Sequence, residues 1–156
     1  MSIKNSFIAL FTAVFLLGCA ERSLYIYDKE DKIVGECSAG YDWHLYGIQD
    51  SIDYILHKCA KGHVDNGYRI SDETILSKDF SLPVAPPGKT WNKKLAMQEF
   101  KAGRITEKKL GYILAEIEYR HIMTRRAAEK QLAKKEITQA QFDQIVADSK
   151  RIWQGE

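Results

Sequence analysis

A chain of 156 residues, 28% of them charged, has room for one ordinary domain, or for a small head with a helical appendage. Its net charge of +2 hides a division: residues 19–88 carry 7 basic and 12 acidic side chains, a net of −5, while 89–156 carry 15 basic and 9 acidic, a net of +6. An acidic front and a basic back support two structural units. Beyond the first twenty residues no apolar run approaches the roughly 20 residues of a membrane-spanning helix, which excludes a polytopic protein.

The chain opens on Lys4, runs almost wholly apolar from Phe7 to Leu17, and closes that run with Leu16-Leu17-Gly18-Cys19. Charged start, apolar middle and a small residue at the cut are the layout of a secretory signal peptide over residues 1–18. Lys4, Asn5 and Ser6 leave the run too short for a span. The last four residues resemble the lipobox of bacterial lipoproteins, whose cysteine is acylated and becomes the first residue of the mature chain. The resemblance implies a lipid anchor on Cys19, and several acyl chains suffice for stable membrane attachment. Ala20, where an Asp would signal retention at the inner membrane, implies the outer membrane and a protein facing the periplasm.

Residues 19–82 are expected to form a small α+β head. Leu24–Tyr27 and Lys32–Cys37 are β-prone runs around the polar turn Asp28–Asp31, which reads as a hairpin. Ile48, Ile52, Ile55, Leu56 and Cys59 fall at helical spacing within 48–60, and Gly67–Ile70 suggests a third short strand. The result is a β-β-α-β unit. Cys37 and Cys59, with 21 residues between them, read as a disulfide in an oxidising compartment. Closing such a loop stabilises by roughly 3 kcal/mol. A metal site is the rival reading, with His44, His57 and His63 near the pair, but no zinc module with these spacings supports it. No metal and no cofactor are expected.

Between strand and helix, Tyr41, Trp43 and Tyr46 flank Asp42 and His44, a mixture that suits contact with a glycan or peptide as well as cover for a small core. Asp53 and His57, four apart on the helix, are expected to meet as a surface pair. Without a nucleophile beside them they form no triad, and the chain is read as non-catalytic.

Residues 83–90 form a linker: three prolines and a glycine between Pro83 and Gly88 forbid a helix across the join. Gly88-Lys89-Thr90 mimics a phosphate-binding loop, but the glycine required five residues earlier is Pro83.

Residues 91–153 repeat. An offset of 32 brings Ile105-Thr106 onto Ile137-Thr138, with Phe100 on Leu132, Leu110 on Phe142, Ile113 on Ile145 and Leu114 on Val146. Each copy reads as helix, tight turn, helix, giving three continuous helices over about 91–102, 107–135 and 139–153. Gly103 ends the first helix, Thr106 caps the second, and Thr138 with Gln141 forms a capping box for the third. Lys135 replaces the second glycine, so that turn is expected to close differently. The long helix would measure about 43 Å, with an apolar stripe of Leu110, Leu114, Ile117, His121 and Leu132.

Leu95 to Leu110, with Gly103-Arg104-Ile105-Thr106 at its centre, resembles the SHOCT family of short C-terminal helical hairpins in bacterial proteins. Residues 131–145 resemble it a second time, lacking the glycine but with Phe142 at the aromatic position. Leu110 departs from that aromatic in the first copy. The resemblance implies a non-enzymatic hairpin for oligomerisation or protein contacts. A 30-residue hairpin buries too little surface to fold alone, so the stripe must pack on its sister copy, on the head or on another chain. Lys108, Lys109, Arg120, Arg125, Arg126, Lys130, Lys134 and Lys135 crowd the long helix. Export rules out nucleic acid as their partner. The expected partners are the membrane, through Cys19, and a protein or second copy, through the tail.

Overall fold

A computed structural model describes residues 20–41 and 47–156. Cys19, Asp42, Trp43, His44 and Tyr46 lie outside the described residues. The fold is α+β as the pattern predicts, a three-stranded antiparallel sheet followed by helices. Strands β1 (Ala20–Tyr27) and β2 (Ile33–Tyr41) form the hairpin. Helix α1 (Ile48–Val64) follows, then a short β3 (Arg69–Ile70) that pairs with β1 and gives the order β2-β1-β3. The hairpin turns without an Asn-Gly pair because the Asp28 carboxylate accepts from the backbone N–H groups of Glu30 and Lys32 at 3.0 and 2.9 Å.

Alternation along the strands decides what meets α1. Leu24, Ile26, Cys37 and Ala39 are buried on one sheet face, and Ile52, Leu56 and Ala60 of α1 cover them. The disulfide Cys37–Cys59 joins β2 to α1. A 3₁₀ turn (Glu73–Ser77) then seats Ile75 in the same core.

After the extended segment 83–90, α2 (Lys93–Lys101), α3 (Glu107–Ala133) and α4 (Gln139–Gln154) match the three predicted helices to within a few residues. The segment itself is folded back: the Trp91 indole N–H donates to the Pro83 carbonyl at 2.8 Å, and Leu82 and Ala85 pack on the tail core.

The tail does not hang from the head. The first half of α3 is buried on two sides, one against α2 and the other against α1. Leu110, Ile113, Leu114 and Ile117 share a core with Trp91, Leu95 and Ala96. Tyr112 and Ala115 point the other way and complete the head core. The two helices approach through a pair of glycines. A Cβ on Gly111 would stand 2.6 Å from the Gly47 carbonyl oxygen, and one on Gly47 would stand 2.9 Å from the Gly111 Cα. Into this contact the buried Ser51 hydroxyl donates to the Gly111 carbonyl at 2.9 Å.

Both inter-helix turns of the tail close alike, which corrects the expectation for Lys135. In the first, the N–H of Gly103 reaches the Phe100 carbonyl and that of Arg104 reaches Glu99, each at 2.9 Å. In the second, Lys135 reaches Leu132 and Glu136 reaches Gln131, each at 2.9 Å. Gly103 sits at φ 69° and Lys135 at φ 61°. The lysine thus takes the left-handed conformation the motif demands, at the steric cost of its Cβ. Thr106 and Thr138 cap the following helices with the same 3.2 Å bond from the third residue's N–H. Lys135→Gly is therefore expected to stabilise the chain by about 0.5–1 kcal/mol, read as a higher urea midpoint. A lower midpoint would mean that the lysine makes a compensating contact.

Candidate interaction surface

The two repeats differ in how much of their apolar face the chain itself covers. In the first, Leu110, Ile113 and Leu114 are buried. In the second, the corresponding Phe142, Ile145 and Val146 are only half-buried, and α4 contains no fully buried residue. The reason is positional. The first copy is sandwiched between α1 and α2, whereas α4 packs on one side of α3 only, whose outer half has Ala128 as its buried residue.

A groove of about 400 Å³ runs between α3 and α4 and is lined by Trp91, Ile117, His121, Ile145, Ile152 and Trp153, among others. Its floor is aromatic. The His121 ring stacks on Trp153 with centroids 5.5 Å apart and planes 6° from parallel. The His121 Nδ1 meets the Ser149 hydroxyl at 2.8 Å. Lys93 places its ammonium 5.6 Å from the Trp153 centroid. At the rim Ile152 is 67% exposed. Elsewhere on α3, Ile122 and Met123 are also exposed, beside a separate cleft against α1.

Of the predicted stripe, Leu110, Leu114 and Ile117 are occupied inside the tail core, His121 lines the groove, and Leu132 is half-buried near the second turn. Tyr41 is the last residue of β2; Trp43 and Tyr46 belong to the undescribed segment. Reading the sequence missed Trp153 and Ile152. The signal was there, since they are the repeat equivalents of His121 and Arg120.

The acidic and imidazole groups of the head turn to structural partners. Asp53 binds Arg22 at 2.7 Å and Lys78 at 2.8 Å, and Arg22 also reaches Asp72 at 2.6 Å. His57 instead places Nδ1 3.0 Å from the Ile75 carbonyl oxygen and its ring on Phe80. The expected Asp53–His57 pair is thus replaced by contacts that tie β1, α1 and the 3₁₀ turn together. Burial pushes the Asp53 carboxyl up, but the hydrogen bonds and charges of Lys78, Gln49 and Arg22 outweigh it and hold the group below its ordinary range. A depressed folded value stabilises the fold above the unfolded value near pH 4, and that contribution is lost as pH falls through the folded value. Asp53→Asn is expected to flatten the acid decline of the urea midpoint between about pH 5 and pH 2. An unchanged decline would assign it to other carboxylates.

Glu116 plays the matching part between head and tail. It accepts from Tyr54 at 2.9 Å and Lys58 at 2.6 Å on α1, and lies 3.7 Å from Arg120, four residues on. Burial first, then the hydrogen bond to Glu116, raises Tyr54 well above the ordinary phenol range, so it stays a donor at any physiological pH. Among the described residues no helix is long and apolar enough to cross a membrane. No family model, no curated protein and no solved structure matches the chain, so the likeness of 91–153 to SHOCT hairpins rests on the motif itself.

Proposed function

We propose that this chain is a lipid-anchored protein of a bacterial cell envelope. Cys19 holds it to the outer membrane, facing the periplasm, and its helical tail is a non-catalytic association module whose partner is a second copy. The observation that carries the association is the asymmetry of the repeat. The same apolar pattern that the first copy buries against α2 and Trp91 is left half-covered on α4, with Ile152 at its rim. An exposed apolar face beside an aromatic groove is what a protein contact uses. The SHOCT likeness supports the same reading, and the lipobox supports the anchor.

Light scattering on a sizing column, applied to the chain from residue 20 onward, is expected to give a dimer or larger species. Ile152→Asp is expected to convert it to monomer with little change in melting temperature, because an exposed position contributes little to the fold. A monomeric parent chain at about 100 μM would sink the self-association. The anchor has its own test: labelled palmitate is incorporated by the full chain and not by Cys19→Ser.

A further inference from the structure

Helix α1 carries one chemically pointed group that the interaction surface does not use. His63 lies four residues after Cys59, on the same face of the helix. The ligand atoms of Cys37, Cys59 and His63 all fall within 4.8 Å of one another. We propose that these three residues form a zinc site whenever the disulfide is reduced, so that the same two sulfurs serve either as a covalent staple or as ligands to a metal ion.

The geometry favours this because the three Cα positions are set by the fold and not by the bond between the sulfurs. Cys37 is held in the β1–β2 ladder opposite Leu24. Cys59 sits inside the 17-residue α1. The His63 carbonyl accepts from the N–H groups of Asn66 and Tyr68 at 3.0 and 3.2 Å, and the Tyr68 ring stands edge-on to the imidazole at 5.8 Å. Two thiolates bound to one tetrahedral zinc stand about 3.8 Å apart, given Zn–S distances near 2.3 Å. Side-chain rotation from Cα atoms 5.9 Å apart reaches that spacing. Two thiolates and an imidazole are a ligand set that suits zinc.

A fourth position is open. Cys59 and His63 line a cleft of about 920 Å³ that also includes Tyr68, Ile122 and Arg126, which gives water access to the metal. Zinc with three protein ligands and a water is the open arrangement rather than the closed structural one.

The balance is simple. A dithiol reductant gives two electrons and two protons to the cystine and becomes a disulfide itself, leaving two thiols on this chain. Zn²⁺ then displaces both thiol protons to solvent and takes the thiolates and the neutral imidazole as ligands. In reverse, a disulfide oxidant takes two electrons from the two thiolates and two protons from solvent, becomes a dithiol, and leaves the cystine and free Zn²⁺. Metal and disulfide are therefore mutually exclusive states of one pair.

The test uses the full chain carrying Cys19→Ser, so that Cys37 and Cys59 are its only cysteines. Reduced with a phosphine under argon and titrated with Co²⁺, it is expected to show thiolate-to-cobalt charge transfer and the visible bands of tetrahedral cobalt, both abolished by stoichiometric Zn²⁺. The oxidised chain is expected to show neither. His63→Ala is expected to weaken Zn²⁺ binding at least about tenfold, since loss of even an outer-shell partner costs that much. Zinc is also expected to raise the melting temperature of the reduced chain and not of the oxidised one. Equal affinity in His63→Ala, cobalt bands in the oxidised chain, or a reduced chain that is unfolded by circular dichroism and stays so with zinc would each overturn the proposal.

Discussion

Tyr112→Ala is expected to cost about 3–5 kcal/mol, as large a loss as a single truncation in a core usually produces. Tyr112 is 2% exposed, and its ring centre lies 5.6 Å from Tyr54 and 5.1 Å from Phe80. It is the residue by which a tail helix fills the head core. If that packing joins the two units, the variant unfolds at a lower urea midpoint in one transition, seen alike by far-ultraviolet circular dichroism and by tryptophan fluorescence. With Trp43→Phe in the background, Trp91 and Trp153 report on the tail alone, while circular dichroism also follows the strands and α1 of the head. Loss of less than about 1 kcal/mol, or two separated transitions, would mean that α3 rests only lightly on α1. The glycine contact at Gly47 and Gly111, the Ser51 bond and the Glu116 cluster all argue for a single transition.

The elements whose signals are local were legible. Thr106 and Thr138 mark helix starts because a hydroxyl can take the first free N–H groups, and both do so. The Cys37–Cys59 disulfide followed from an even pair in a chain read as exported. What failed to show was non-local packing. Residues 110–117 are nearly all apolar, so counting along one stripe picks out Leu110, Leu114 and Ile117 and overlooks that Tyr112 and Ala115 make a second buried face. Lys135 departs from expectation because the absence of glycine points to a turn of a different kind, whereas the flanking hydrogen bonds hold the lysine in the same conformation. His63 stood near the cysteine pair in the rival metal reading, but its place on the same helix face as Cys59 did not show, because the expected helix stops at residue 60 whereas α1 continues to Val64. Half of the candidate interaction surface was readable through the repeat. The rest depends on the extra cover that Trp91, Leu82 and Ala85 give the first copy alone, which no local pattern announces.

Trp91 separates two accounts of the join between head and tail. As a linker, residues 83–90 would tolerate almost any change; as part of the core they would not. Trp91 is 8% exposed, packs among Leu95, Leu114 and Ile117, and holds the Pro83 carbonyl by its indole N–H. Trp91→Ala is expected to cost about 3–5 kcal/mol, because it empties the centre of the tail core and frees the strap at once. Trp91→Phe keeps most of the ring and loses the hydrogen bond, and is expected to cost about 1–2 kcal/mol. A gap between the two variants assigns most of the effect to core filling. Equal losses would assign it to the bond that folds the strap back, and no loss in either would leave the segment a tether. Because Trp91 also underlies the groove beside His121 and Trp153, the phenylalanine variant carries a second reading. If association depends on the groove's shape, it weakens by more than that loss of stability accounts for; if association uses only the outer face around Ile152, it does not change.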